Sequence, residues 1–200
     1  MKKLTFKTIT LLSTILLTTA SIICTSVVAQ TVYQSKALDI SLTGTSTLHD
    51  WTMKAAVGKS EAAFVVDQNN KVISLSRLSF TLPATALKSE SNMMDKNTYK
   101  ALNTKENPNI SFVLTSATVT STGGNNYKLN CIGKLTIAGT TKETDLTATG
   151  TYNPTDKSFA VTGVKKMKMT DYNVKPPTVM LGTIKTGNDI AIAYNVKFSK

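Results

Sequence analysis

The chain has 200 residues and a formal net charge of +11, with 41% hydrophobic and 18% charged side chains. That apolar share excludes a disordered segment, and the length supports one domain with a sizeable core. The lysines are scattered singly around one arginine, Arg77, with no basic–aromatic array, which excludes nucleic acid as a partner. An anionic membrane surface or an anionic ligand fits an exported basic domain better, and solvation alone accounts for the lysines equally well.

The first thirty residues open with Lys2, Lys3 and Lys7, continue with an apolar run and finish in small residues. This is the pattern of a secretory signal peptide over residues 1–29, cut after Ala29, and it predicts a periplasmic or secreted protein. Thr and Ser interrupt the apolar run, which falls short of the ~20 apolar residues of a stable membrane span. Lipid anchoring at Cys24 would want a small residue before the cysteine, where Ile23 stands. Removing the leader leaves Cys131 alone, so residues 30–200 form a single domain stable without a disulfide.

From there the chain reads as strand and turn almost throughout. "ALDISLT" sets Leu38, Ile40 and Leu42 on one face, and "WTMKAAV" does the same with Trp51, Met53, Ala55 and Val57. "RLSFTLP" carries Leu78, Phe80 and Leu82 before Pro83. One segment, residues 89–103, predicts a short helix capped by Ser91, with Asp95 in its first turn and Asn103 at its end. Alternation then resumes with Ile110, Phe112 and Leu114, and with Tyr127, Leu129, Cys131, Leu135 and Ile137. Leu146, Ala148 and Tyr152 follow, and Ile190, Ile192, Tyr194, Val196 and Phe198 close the chain. A period of two with polar partners indicates antiparallel strands with one dry and one wet face. "QNNK", "TGGNN", "AGTTK", "NPTDK" and "TGND" supply the turns between strands. Eight or nine strands and one helix leave a sandwich or a closed barrel, and the Thr- and Ser-rich outer positions favour the barrel. A barrel of about eight strands holds one small ligand.

Catalytic parts are missing. His49-Asp50-Trp51 contains the only histidine and the only tryptophan. As neighbours on a strand, His49 and Asp50 point to opposite faces, so Asp50 does not orient His49 as a triad carboxylate would. There is no paired-ligand spacing for a metal, no nucleophile elbow and no phosphate-cradling loop. Trp51 is expected to face inwards and His49 to stand near a rim. Met167 and Met169, an M-x-M pair on one strand face, with Met180 nearby in sequence, raise a Cu(I) alternative through their thioethers, against which stands their ordinary use as core filler. Cys131 shares the parity of Leu129 and Gly133, which predicts a buried, inert thiol.

Four segments in order resemble one family: "SLTGTSTLHDW"; "TLPATALKSESNMMDKNTYKALNTKENPNISF"; "GKLTIAGTTKETDL"; and "KMKMTDYNVKPPTVMLGTIKTGNDIAIAYNV". Spanning most of residues 36–198, they are similar to the signatures of the YceI-like family. That resemblance implies an extended, lipocalin-like antiparallel β-barrel, exported, holding a polyisoprenoid, a quinone or another long apolar molecule for storage or transport. It implies no cofactor, no metal and no reaction. A periplasmic Cu(I) protein or a hydrolase centred on the methionines or His49 is the alternative. Besides the lipid, the admissible partners are an anionic membrane surface and a second copy of the chain. On the matching strands, the apolar-parity residues Leu78, Phe80, Phe112, Leu114, Leu129, Leu135, Leu146, Met169, Ile192 and Tyr194 would line the ligand tube, with Trp51 beside them.

Overall fold

A computed structural model describes residues 31–200; the expected leader, its cleavage after Ala29 and Cys24 all lie outside the described residues. Ten strands and one α-helix follow in chain order: β1 (Thr31–Ser46), β2 (Trp51–Ala55), β3 (Lys59–Val66), β4 (Val72–Pro83), α1 (Asn92–Ala101), β5 (Asn109–Gly123), β6 (Asn126–Ile137), β7 (Thr140–Asn153), β8 (Ser158–Lys168), β9 (Thr178–Val179) and β10 (Ile184–Ser199).

Closure decides between barrel and sandwich. β10 pairs antiparallel with β1 along almost its full length, from Gln34 against Ser199 to Ser46 against Thr186. With that pairing the ring β1-β3-β4-β5-β6-β7-β8-β10 has no free end, so this is an eight-stranded barrel with β2 and β9 added. The second edge of β1 is shared: β3 pairs with its start and β2 with its end. Between them residues 56–58 leave the ladder, and Val57 of the expected alternation is 66% exposed. A side chain at Gly58 would collide with Leu38, which is why the chain crosses so close at this point. β2 has no ladder with β4; the connection after β4 pairs with it once, through mutual backbone bonds of Lys54 and Lys88 at 2.7 and 2.8 Å.

That connection also carries α1, which starts and ends where the sequence predicts. Ser91 Oγ accepts from the Met94 N–H at 3.3 Å, and Asn103 leaves the helix in the left-handed region. Asp95 is buried and accepts from both the N–H and the hydroxyl of Ser89 at 2.8 Å, with Lys88 Nζ 3.6 Å away. Desolvation works against its charge, but the Ser89 bonds and Lys88 prevail and hold the carboxyl below its ordinary value.

The two ends of the barrel differ. At the base, beside the turns 67–71, 123–126 and 153–157, six aromatic side chains form a solid plug: Tyr33, Phe64, Tyr127, Tyr152, Phe159 and Phe198, all buried. Phe64 packs on Phe159 at 4.6 Å between ring centres and on Tyr33 at 5.5 Å, edge-on. The other end is framed by the connections 47–50, 84–108 and 169–183, where β1, β4 and β8 finish.

Three expectations need correction. "TGND" is not a turn but lies inside β10, where the pairing with β1 is irregular between Gly44 and Ser46. There the Asn188 side chain accepts from the Thr170 N–H at 3.1 Å and donates to its hydroxyl at 2.8 Å, which gives the irregular stretch polar partners. Met167 and Met169 do not share a strand face: β8 ends at Lys168, and Met169 opens a 3-10 turn (Met169–Tyr172). Met180 is exposed.

Candidate ligand-binding cavity

The barrel's inward residues leave a cavity of about 440 Å³ above the aromatic plug. Phe64 and Phe198 belong to both the plug and the cavity lining, so the interior is solid at the base and hollow towards the open end. Ten of the eleven residues named from sequence line it: Trp51, Leu78, Phe80, Phe112, Leu129, Leu135, Leu146, Met169, Ile192 and Tyr194. Leu114 does not. It is half-buried against the core, the Phe112 ring lies across its cross-strand partner Gly133, and the register slips just beyond it, between Leu114 and Ser116.

Trp51 is held in place from two directions. Its indole Nε1–H donates to the Thr45 carbonyl at 2.9 Å, and its ring lies over Gly44, the residue paired with it on β1. Any side chain at Gly44 would occupy the ring's position. His49 is exposed at the edge of the cavity. Its Nδ1 faces the Asp50 carbonyl oxygen at 2.6 Å, and its own backbone carbonyl accepts from Ser46 Oγ at 2.7 Å. These are turn bonds, and no carboxylate orients the ring for catalysis.

The helix contributes a wall the strand alternation could not reveal. Met94, Thr98 and Ala101 of α1 and Leu102 at its C-terminal cap line the cavity, and Thr98 Oγ1 lies 3.3 Å from Met53 Sδ. Ser60, Cys131 and Lys165 are inward residues that sequence reading passed over as binding positions. Lys165 hides among the inward series Phe159, Val161, Gly163 and Met167 of β8. Its ammonium reaches Asp145 at 2.7 Å where β7 and β8 separate, for their ladder stops at Ala148 and Gly163. That hydrogen bond lowers the Asp145 carboxyl below its usual value.

Chemically the cavity is almost entirely apolar, and no Asp or Glu lines it. Two of its deeper polar groups are already engaged: Ser60 Oγ donates to the Ser79 carbonyl at 2.9 Å, and Tyr194 donates to the Thr147 carbonyl at 3.0 Å. Among the described residues no buried side-chain nitrogen or oxygen lacks a partner. Burial pushes the Cys131 thiol up to about 11, and burial, with Cys131 and Asp145, pushes Tyr194 up to about 12. A thiol so placed stays protonated at neutral pH. Among the described residues no group of three or more His, Cys, Asp or Glu could hold a metal ion. Met167 and Met169 line the cavity as part of its apolar wall, and neither the copper nor the hydrolytic alternative finds support.

Over residues 25–198 the sequence matches the family described as YceI-like domain. Solved structures with a similar fold include BcnA of Burkholderia cenocepacia, at 18% identity and a TM-score of 0.62, covering 80% of this chain and 95% of that one. A polyisoprenoid binding domain from Saccharophagus degradans, implicated in plant cell wall breakdown, aligns at 10% identity and a TM-score of 0.63, over 84% and 97% of the two chains. The YceI protein of Campylobacter jejuni aligns at 18% identity and a TM-score of 0.52, over 70% and 81%. At such identities the likeness is one of fold. No curated protein matches the chain.

Proposed function

We propose that this chain, which belongs to the YceI-like family, carries one polyisoprenoid, quinone or similarly long apolar molecule inside its barrel, with no reaction of its own. The observation that carries this reading is the cavity: about 440 Å³, within the ~300–1,000 Å³ of small-molecule sites, and walled almost wholly by apolar side chains. A hollow of that kind in an otherwise close-packed interior is a space for a ligand rather than a packing defect. The polyisoprenoid-binding domain of similar fold supports the choice of ligand class. Each methylene moved from water into the cavity contributes ~0.8 kcal/mol, so a few isoprene units supply affinity with no polar contact. The leader pattern of residues 1–29 supports action in the periplasm or outside the cell, where an apolar chain needs a carrier to cross water.

The test is purification under native conditions, then native mass spectrometry and organic extraction, with uptake of added geranylgeraniol measured on delipidated protein. A retained apolar molecule, or saturable uptake at one per chain, is the expected result. Repeated recovery of empty protein that takes up no prenyl alcohol would refute the reading.

A further inference from the structure

The wall of the barrel is not continuous. β7 and β8 form a ladder from Asn153 and Ser158 only as far as Ala148 and Gly163, although β7 runs on to Thr140 and β8 to Lys168. Their other neighbours stay attached throughout: β6 pairs with β7 up to Thr140, and β10 with β8 up to Lys168. Residues 140–147 and 164–168 therefore flank a gap in the half of the barrel nearer the open end. Side chains span it. Tyr194 lies across Gly163 and donates to the Thr147 carbonyl at the lower end, and Lys165 meets Asp145 at 2.7 Å above it. At the top Asn173 Nδ2 donates to Thr140 Oγ1 at 3.1 Å.

Burial shows that the gap reaches the cavity. On β6, which is paired on both sides, Cys131, Gly133 and Leu135 are buried. Their partners on β7 are not: Leu146 and Thr144 are half-buried and Lys142 is exposed. In the paired half of the same strand Ala148, Gly150 and Tyr152 are buried. Solvent thus reaches the first three through the wall rather than down the mouth. Leu146, Lys165 and Met167 line the cavity from the two flanks, and Ala148 and Tyr194 border both the cavity and a groove on the outer surface. There the wall is one side chain thick. A second break differs. The β4–β5 ladder covers only Ser79–Pro83 and Asn109–Val113, but behind it Val72 and Leu75 are buried, and Ala117 and Val119 on its β5 flank do not border the cavity.

We propose that the gap between β7 and β8 is a side entrance through which a long apolar ligand enters and leaves the cavity, with the ion pair of Lys165 and Asp145 as its latch. The inference rests on the carrier reading and adds the route by which the ligand moves. Asp145 is 77% exposed, so the pair is held weakly and parts readily. Parting it frees the Lys165 side chain, and the two flanks then separate without the loss of any backbone ladder. An isoprenoid chain threads end first between Leu146 and Met167, meeting apolar side chains from the wall inwards.

The latch is tested by Asp145→Asn, which leaves the cavity lining unchanged. Delipidated protein takes up tritiated geranylgeraniol, and both uptake and release into a chase of unlabelled alcohol are timed. Both should quicken about two- to fivefold, the scale of a surface ion pair, with the dissociation constant unchanged. High salt should quicken the wild type and leave the variant as it is. Asp156→Asn, which removes the Lys197 ion pair at the base, should behave as wild type. The route is tested by attaching a bulky maleimide to single cysteines in a Cys24→Ala, Cys131→Ala background. Val164→Cys, exposed beside the gap, should lose rapid exchange, while Leu48→Cys at the mouth and Thr118→Cys beside the second break keep it. No slowing at Val164, or slowing as large at Leu48 or Thr118, would overturn the side entrance, as would wild-type rates in Asp145→Asn. A change in release alone, with altered affinity, would make Asp145 a determinant of binding rather than a latch and overturn it too. All of these outcomes leave carriage standing. Failure of the wild type and every variant to take up the alcohol would refute carriage and the entrance together.

Discussion

Replacing Leu135 by tryptophan separates a hollow interior from a filled one. Leu135 is 8% exposed, sits opposite Phe112 on β5 and borders the cavity. The bulk added by an indole is a small fraction of about 440 Å³, so it enters space that holds no side chain. Leu38 is the matched control: it is also 8% exposed, but it lies outside the cavity lining, against Gly58. Overfilling a packed site costs ~1–3 kcal/mol. For a domain of this size each kilocalorie lowers Tm by about 2–4 °C. Leu38→Trp should therefore melt several degrees below wild type in delipidated form, and Leu135→Trp within about 2 °C of it. Uptake of prenyl alcohol should show the opposite order, with Leu135→Trp impaired and Leu38→Trp retaining stoichiometric binding at temperatures where it is folded. A drop for Leu135→Trp as large as for Leu38→Trp, repeated at Phe112 or Leu146, would mean that the interior is filled and that the carrier reading is wrong.

Cys131 should resist a bulky polar thiol reagent in the native state yet react with a small apolar one, and prior loading with prenyl alcohol should slow that reaction; rapid labelling by the bulky reagent would contradict its burial. Because its folded pKa is raised to about 11, this thiol contributes stability below the unfolded value near 9 that fades as pH rises towards 11, so Cys131→Ala should flatten the alkaline limb of a melting-temperature profile. Asp95 has the opposite sign: its lowered pKa stabilises the fold above the ordinary carboxylate range and the contribution is lost on acidification, so Asp95→Asn should shrink the acid-dependent fall in Tm. Gly44→Ala should collide with the Trp51 ring and cost ~1–3 kcal/mol in urea denaturation, with a shift in tryptophan emission.

Periodicity made most of the barrel legible. Along β6 the inward series from Tyr127 to Ile137 alternates without a break, and the structure buries each member. Where geometry breaks the period, the sequence signal breaks too. β3 buries both Ala62 and Ala63 because its register with β4 slips between Ala63 and Phe64, so no clean alternation marks it. β8 hides its inward face behind Gly163 and Lys165, the one leaving room for the Tyr194 ring, the other reaching out to Asp145. The wall supplied by α1 follows a helical period; the sequence shows the helix and its caps, but no local pattern tells which of its faces meets the barrel interior. What distinguishes a cavity from a filled core is the diameter at which strands close, and that is set by long-range pairing rather than by any local pattern.

The seam between β1 and β10 has a consequence for how the chain reaches this state. It joins the first described strand to the last: the Thr43 hydroxyl donates to the carbonyl of Ala191, 148 residues away. Until the final strand exists, β1 and β8 are open edges with exposed backbone donors and acceptors, which invite pairing with other chains. A ring closed by its most distant pair in sequence acquires its decisive contact last and must bear the loop entropy first, which predicts slow, all-or-none folding. The barrel is thus a structure that a growing chain cannot assemble piecemeal, and its completion is tied to arrival of the last sixteen-residue strand.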